Sequence, residues 1–326
     1  MAARPVSLAR RRGLLAAPAA FILAREALAQ AGPVRIIVPY TPGAFNDTLA
    51  RLVGEGMQGA LGQLGVVENR PGASGSIGIA AAAQAAPDGT TIAVANTANL
   101  TMNPFLFANT GYDPQRDLAP LCVVARLVNA LTVSTESGIG SLQDLLARSR
   151  ARPGGLSFAS SGAGSSPHLA AELLKHRTGM QGVHVPYRGS APGIADLIGG
   201  RVDWTVDNLP NVLPQAQAGK LRVLAVTGRE RDSSLPDVPT LQEAGLPDFE
   251  VYVWFGFVGP AGLPPALRER LSSAILRIAQ QPETAERIRR GGAAVWLQDG
   301  AQFAALIRAE LDKWGTVIRA AGLKLE

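Results

Sequence analysis

At 326 residues the chain is too long for one small core and long enough for two lobes of ordinary size. Apolar residues make up 47% and charged residues 17%, which excludes a disordered or fibrous protein. The net charge of +5 is concentrated in five arginines and one glutamate among the first 29 residues, so the remainder is close to neutral and makes no case for binding nucleic acid.

Residues 1–29 read as an export signal. Arg10, Arg11 and Arg12 form a positive start, Gly13 to Ala24 a short apolar stretch, and Ala27-Leu28-Ala29 a small-residue cleavage pattern. That stretch is too short for a bilayer core, which needs about 20 apolar residues. Arg11-Arg12-Gly13-Leu14-Leu15 resembles a twin-arginine signal, although three consecutive arginines also suit the general secretory route. The mature protein is expected in the periplasm.

Strand-like and helix-like stretches then alternate. Arg35 to Val38 predicts a strand, followed by a helix with Leu49, Leu52, Val53, Met57, Ala60 and Leu61 at helical spacing. Val66-Val67 and Thr91 to Ala95 are further strands, with a turn at Pro87-Asp88-Gly89. Ser141 with Asp144 resembles a capping box opening a helix that stops before Pro153-Gly154. Strands are expected at Leu156–Ala159, Val183–Val185, Val202–Val206 and Leu221–Val226. Helices are expected near Pro167–Thr178, Pro192–Ile198 and Val212–Ala218, with Gly199 and Gly219 as C-caps. Thr240 and Glu243 repeat the capping-box pattern, and helices at Pro265–Gln280 and Ala301–Ala321 close the chain. Such alternation predicts α/β sheets covered by helices on both faces. There is no internal repeat and no low-complexity linker. Cys122, the single cysteine, can form no internal disulfide and reads as a buried small hydrophobe.

Ligands of open α/β sheets bind at the carboxyl ends of strands. The first such junction is Tyr40-Thr41-Pro42-Gly43-Ala44-Phe45-Asn46-Asp47, where a Pro-Gly turn delivers a helix start whose N–H groups suit an anion. Asn46 can cap that helix, and Asp47 complements its dipole. Asn96 and Thr97, just after the third strand, join the candidate ligand set. The second junction, Ser160-Ser161-Gly162-Ala163-Gly164-Ser165-Ser166-Pro167-His168, reads as a hydroxyl-rich backbone nest. Pro167 breaks the dinucleotide fingerprint, and neither a P-loop nor a nucleophile elbow is present. The third joins Tyr187, Arg188, Gly189, Ser190 and Ala191 to Asp207 and Asn208. His168, His176 and His184 lack metal-ligand spacing, and neither metal nor cofactor is expected. Trp254-Phe255-Gly256-Phe257 suits a core strand better than a cleft wall.

These segments, in this order, resemble the solute receptors of tripartite tricarboxylate transporters, the Bug family. The resemblance rests on Val38-Pro39-Tyr40 with Pro42-Gly43 and Asp47, and on Val67-Glu68-Asn69-Arg70-Pro71-Gly72-Ala73. It continues through Ala86-Pro87-Asp88-Gly89, Ala159-Ser160-Ser161-Gly162 with His168-Leu169, and His184-Val185-Pro186-Tyr187 with Gly189-Ser190-Ala191-Pro192. Asp207-Asn208-Leu209-Pro210, Ala218-Gly219-Lys220-Leu221-Arg222, Leu235-Pro236-Asp237-Val238-Pro239-Thr240 and Trp254-Phe255-Gly256 complete it. It implies a type II periplasmic-binding-protein fold, with residues 30–127 and 252–326 in one lobe and 128–251 in the other. It also implies a small carboxylate held mainly by backbone N–H groups, delivery to a large and a small membrane subunit, and a monomer. Ala44 and Phe45 depart from the family pattern: Ala44 resists a positive φ, and Phe45, if it faces the cleft, favours a flat or partly apolar guest. Rival expectations are a sensory co-receptor for a membrane histidine kinase, and a hydrolase using a hydroxyl of Ser160–Ser166 with His168.

Overall fold

The computed structural model describes residues 32–325. The export signal expected at residues 1–29 lies outside the described residues. The first strand, β1 (Val34–Val38), shows how the core is built: Val34, Ile36 and Val38 point into one cluster and Ile37 into another, all fully buried. A strand covered on both faces reads as a near-continuous apolar run, interrupted here by the half-exposed Arg35.

Around it β2 (Gly65–Asn69) and β3 (Thr91–Asn96) pair in parallel, and β9 (Tyr252–Pro260) pairs antiparallel with β3. The other side of β9 pairs with β4 (Leu118–Ser134), whose first part also takes β10 (Ala294–Gln298) along its far edge. The first sheet therefore runs β2-β1-β3-β9-β4-β10. β4 is 17 residues long, far more than one sheet needs. Beyond Val128 it enters a second sheet, where residues 129–134 pair with β7 (Trp204–Asn208) and β8 (Leu221–Val226). β5 (Leu156–Ser160) joins β7, and β6 (Gly182–Pro186) joins β5, giving β6-β5-β7-β4-β8. The chain returns to the first sheet where Val251 N–H donates to the Thr227 carbonyl and β9 begins. Two α/β lobes thus share β4 and the approach to β9 as their connection.

On the first sheet, α1 (Phe45–Leu61) buries Leu49, Leu52, Val53 and Met57 and stops at Gly62, whose φ of 74° is the left-handed end that glycine accepts. α8 (Pro265–Gln280) and α9 (Pro282–Arg290) pack on the same side, and α2 (Ser76–Ala83) covers the other. A π turn (Ala98–Met102) leads into α3 (Asn103–Leu106). On the second sheet lie α4 (Leu142–Ala151), α5 (Ser166–Thr178), α6 (Ser190–Ile198) and α7 (Leu209–Gln217). The last helix, α10 (Gly300–Ala320), serves both lobes. Phe303 and Ile307 pack under the first sheet, whereas Trp314, Val317 and Ile318 join Met102 and Leu106 in the core of the second.

One capping expectation holds and another needs correction. Thr240 and Glu243 do exchange both capping-box hydrogen bonds, yet they open only a turn at residues 241–245. Pro247 follows too soon for a helix to propagate. Gly199 ends α6 at φ −76°, and the left-handed residue is Gly200 at 70°. Among the described residues, no helix is long and apolar enough to cross a membrane. Cys122 is free and buried, and burial pushes its thiol pKa up.

Candidate functional site

A cleft of about 500 Å³ opens between the lobes. From the first lobe it is lined by Tyr40, Ala44, Phe45, Asn46, Ser74 and Asn96, and from the second by residues 161–167, Asn208, Pro210 and Asn211. Ala98 and Gly291 of the first lobe, Leu127 of β4 and Val253 and Phe255 of β9 complete it. The starts of α1 and α5 border the same space, so two positive dipole ends address one guest; α1 offers the N–H groups of Phe45 and Asn46 and α5 that of Ser166, since Pro167 has none and His168 N–H is taken by Ser165. Among the described residues, no charged side chain lines the cleft.

In the first loop the left-handed residue is Gly43 at φ 87°, which lets Ala44 sit extended at φ −67° without strain. Ala44 is the N-cap and provides no side-chain bond, so Asn46 does not cap the helix as expected. Instead Asn46, 5% exposed, lines the cleft, and its Nδ2 is buried with no partner. Asp47 is turned away from the lining. Its carboxylate accepts from Gly43 N–H, Arg51 and Asn69 Nδ2, and thereby shapes the loop. Burial alone would raise its pKa, but those hydrogen bonds and the Arg51 charge outweigh it and hold the carboxyl below its usual value. Pro42 and Gly43 are exposed supports of the turn. Tyr40 hydroxyl donates to Ser74 O and accepts from Asn96 Nδ2, making one polar wall. Thr97 is fully buried outside the lining: its hydroxyl accepts from Trp254 N–H and donates to Tyr252 O, tying the π turn to β9.

The second loop is fixed from within. Gly162 (φ 134°) and Gly164 (φ 75°) adopt conformations that side chains resist. Ser165 caps α5 by accepting from His168 N–H, and its hydroxyl donates to Gly162 O. His168 is 2% exposed and does not reach the cleft; its Nδ1 accepts the Gly164 N–H. Ser160, likewise buried, places its hydroxyl 2.7 Å from His184 Nε2. The serine–histidine pair is therefore Ser160 with His184, beneath the loop and not on the cleft wall. That removes the geometry expected for a hydrolase built on His168, because a nucleophile must reach its substrate.

The third region supports the second loop and supplies little of the wall. Gly189 N–H donates to Ser161 O, Tyr187 hydroxyl to Asp196, and Ser190 hydroxyl to Asp207. Asp207, 2% exposed, also accepts from Asn208 N–H and Asn211 Nδ2, and burial pushes its pKa up against those bonds. Ala191 and Arg188 are exposed outside the lining. Asn208 does line it, with a buried Oδ1 that has no partner. The aromatic run divides: Trp254 is core, whereas Phe255 reaches the cleft and meets Phe45 edge-on at 4.7 Å. Sequence reasoning missed Ser74, Ala98, Leu127, Val253, Asn211, Pro210 and Gly291. Of these only Pro210 lay in a recognisable motif; the others reach the cleft through tertiary pairing.

Comparison with known proteins gives the family and the fold. The family model described as tripartite tricarboxylate transporter family receptor matches residues 49–323. Protein BugT of Bordetella pertussis is 35% identical over 297 residues, spanning 91% of this chain and 91% of BugT. The solved structure of R. palustris Rpa4515 with adipate has a TM-score of 0.78 at 35% identity, covering 91% of this chain and 99% of that one. MatC from Rhodopseudomonas palustris with bound malate gives 0.75 at 30%, covering 89% and 99%. The chain belongs to the tripartite tricarboxylate transporter receptor family and has its two-lobed periplasmic-binding-protein fold.

Proposed function

We propose that this receptor captures a small carboxylate between its lobes in the periplasm and presents it to the two membrane subunits of a secondary transporter. One observation carries the reading: helix starts from opposite lobes, α1 at Ala44–Asn46 and α5 at Ser165–Pro167, border one uncharged cleft. Aimed N–H groups bind an anion without a cationic side chain. Strand crossings and α10 connect the lobes, which suits closure by hinge motion. Two relatives that carry adipate and malate support the same ligand class. Binding without turnover is the expected outcome at such a site.

Purified protein, freed of any retained ligand by unfolding and refolding, is to be melted with a panel of dicarboxylates, tricarboxylates, amino acids and aromatic acids. A ligand present at 100 times its Kd adds about 2.7 kcal/mol to the folded state, and the melting temperature rises accordingly. No shift from any carboxylate at saturating concentration would rule the reading out.

A further inference from the structure

Along one edge of β4 two strands follow end to end. β7 runs along it as far as Asn208, opposite Asn129, and β10 takes up the same edge at Ala294, opposite Arg126. The opposite edge belongs to β9 as far as Val128 and then to β8, joined where Val251 N–H donates to Thr227 O. Only Leu127 and Val128 separate β7 from β10, and here the chain passes from one lobe to the other. The loops that leave β7 and enter β10 therefore meet beside the crossing. Both line the cleft, through Pro210 and Gly291.

The meeting leaves no room for a side chain. A Cβ placed on Gly292 would lie 2.3 Å from Pro210 Cγ and 2.6 Å from its Cβ, closer than such atoms approach, whereas Pro210 Cα would be an ordinary 3.6 Å away. Neither partner yields easily. Gly292 N–H donates to Arg289 O and Ala293 N–H to Ile288 O, which fastens the loop to the end of α9. Pro210 stands in the first turn of α7, and its ring fixes its own φ. A rigid contact between the lobes, on the cleft side of their crossing, limits how far they swing together.

We infer that Gly292 and Pro210 form the stop that sets the closed position of the lobes, and so act as positioning residues for the guest. The link to affinity rests on the proposed receptor function: a guest held by both helix starts binds the closed arrangement, and its apparent Kd rises as the closed fraction falls.

Gly292→Asn supplies a wedge, because Asn tolerates the φ of 78° better than most side chains while its Cβ meets Pro210. Gly219→Asn is the control: its φ is 73° and an added Cβ meets nothing within 4 Å, so it carries the backbone cost without the wedge. Pro210→Gly removes the two clashing atoms and is expected to restore closure when combined with Gly292→Asn. Small-angle X-ray scattering of the ligand-stripped, refolded proteins is expected to give a larger radius of gyration for the wedge alone, with wild type, control and double variant alike. An unchanged radius in the wedge protein, or one that the double variant does not restore, overturns the inference. Should the clash prevent folding, the double variant is expected to fold; one that still does not fold also overturns it. Calorimetric titration with adipate is expected to show binding about tenfold weaker in the wedge than in wild type and control, and recovered in the double variant. Equal adipate affinity in the wedge and wild type overturns the link between stop and binding. If wild type binds neither adipate nor any member of the carboxylate panel, the receptor function falls and the scattering comparison alone decides whether the stop exists.

Discussion

His168 and His184 stack ring on ring, with centroids 3.7 Å apart and planes 8° from parallel, directly behind the second ligand loop. Each also makes a polar contact, His168 accepting from Gly164 N–H and His184 meeting the Ser160 hydroxyl. Phe158 continues the stack 5.0 Å from His184, and Lys175 Nζ lies 5.2 Å from the Phe158 ring centroid. Glu172, 3.8 Å from His168, is engaged by Lys175 at 2.8 Å. A charge on either imidazole would be desolvated and would face its neighbour.

This arrangement makes the fold sensitive to acid. Burial, followed by the neighbouring His184 and Lys175 charges, lowers the His168 pKa to about 3; burial and Lys175 lower that of His184 to about 4. The unfolded chain binds these protons near pH 6.5, so between pH 6.5 and about 4 it holds more of them than the folded chain. Stability is full above pH 6.5, falls as pH drops towards 4, and this contribution levels off below both folded values. Together the two imidazoles account for a loss on the order of several kcal/mol, complete only below about pH 3. Urea unfolding at pH 7.5 and 5.0 is to be compared with that of a His168→Asn protein, which keeps an acceptor for Gly164. A wild-type midpoint that does not move, or a variant just as pH-dependent, contradicts the account.

Ser160 is expected to be structural and not reactive. Ser160→Ala removes the hydroxyl from His184 and leaves a half-buried ring nitrogen without its partner. The cost is about 1–2 kcal/mol in unfolding free energy. Ligand affinity falls less than stability, because the loop remains pinned by Ser165 and His168. A loss of binding with unchanged stability would point to direct contact with the guest.

Asp47 was legible as part of a ligand loop, but its role there was not. A carboxylate at a helix start looks the same in sequence whether it faces a cleft or folds back, and here Asn69 and Arg51 settle the matter. Asp47→Asn keeps the shape and loses the charge that gathers Gly43 N–H, Arg51 and Asn69. About 2 kcal/mol of stability is expected to go with it. Since its folded pKa is depressed, the wild-type contribution is present above about pH 4 and lost as pH falls through the folded value. The wild-type minus variant difference, measured at pH 7 and at pH 3, should shrink. A constant difference argues against an electrostatic origin.

The strands and most helices could be read locally because burial on both faces demands apolar runs and because helix starts carry recognisable caps such as Ser141, which accepts from Asp144 N–H. The loops bordering the cleft were legible for the same reason: Tyr40, Ala44–Asn46, Asn96, Ser161–Gly162, Ser165–Ser166 and Asn208 all line it. Thr97, Ser160, His168, Tyr187 and Asp207 stand one layer behind, and only partners distant in sequence reveal it. Leu127 and Val253 escaped altogether, since both sit on strands whose register brings them together across β4 and β9. Nor could a local pattern show that α10 would anchor in the second lobe through Trp314.

The connection between the lobes carries its own cation. Arg126 of β4 lies 4.1 Å from the Tyr252 ring and 4.8 Å from the Trp296 ring, between the start of β9 and the edge strand β10. Tyr252 also accepts from Arg229 N–H, just beyond β8, so the stack links the second lobe to the edge of the first sheet. A guanidinium between two aromatic faces is stabilised by both quadrupoles, each contributing about 0.5–1 kcal/mol when partly exposed. Arg126→Gln should lower the unfolding free energy by about 1–2 kcal/mol, and Trp296→Leu by a similar amount. Because the two side chains share one contact, the double variant should lose clearly less than the sum. Additive losses in that cycle would mean that the rings and the guanidinium stabilise the connection separately, and that Arg126 does not join the lobes through them.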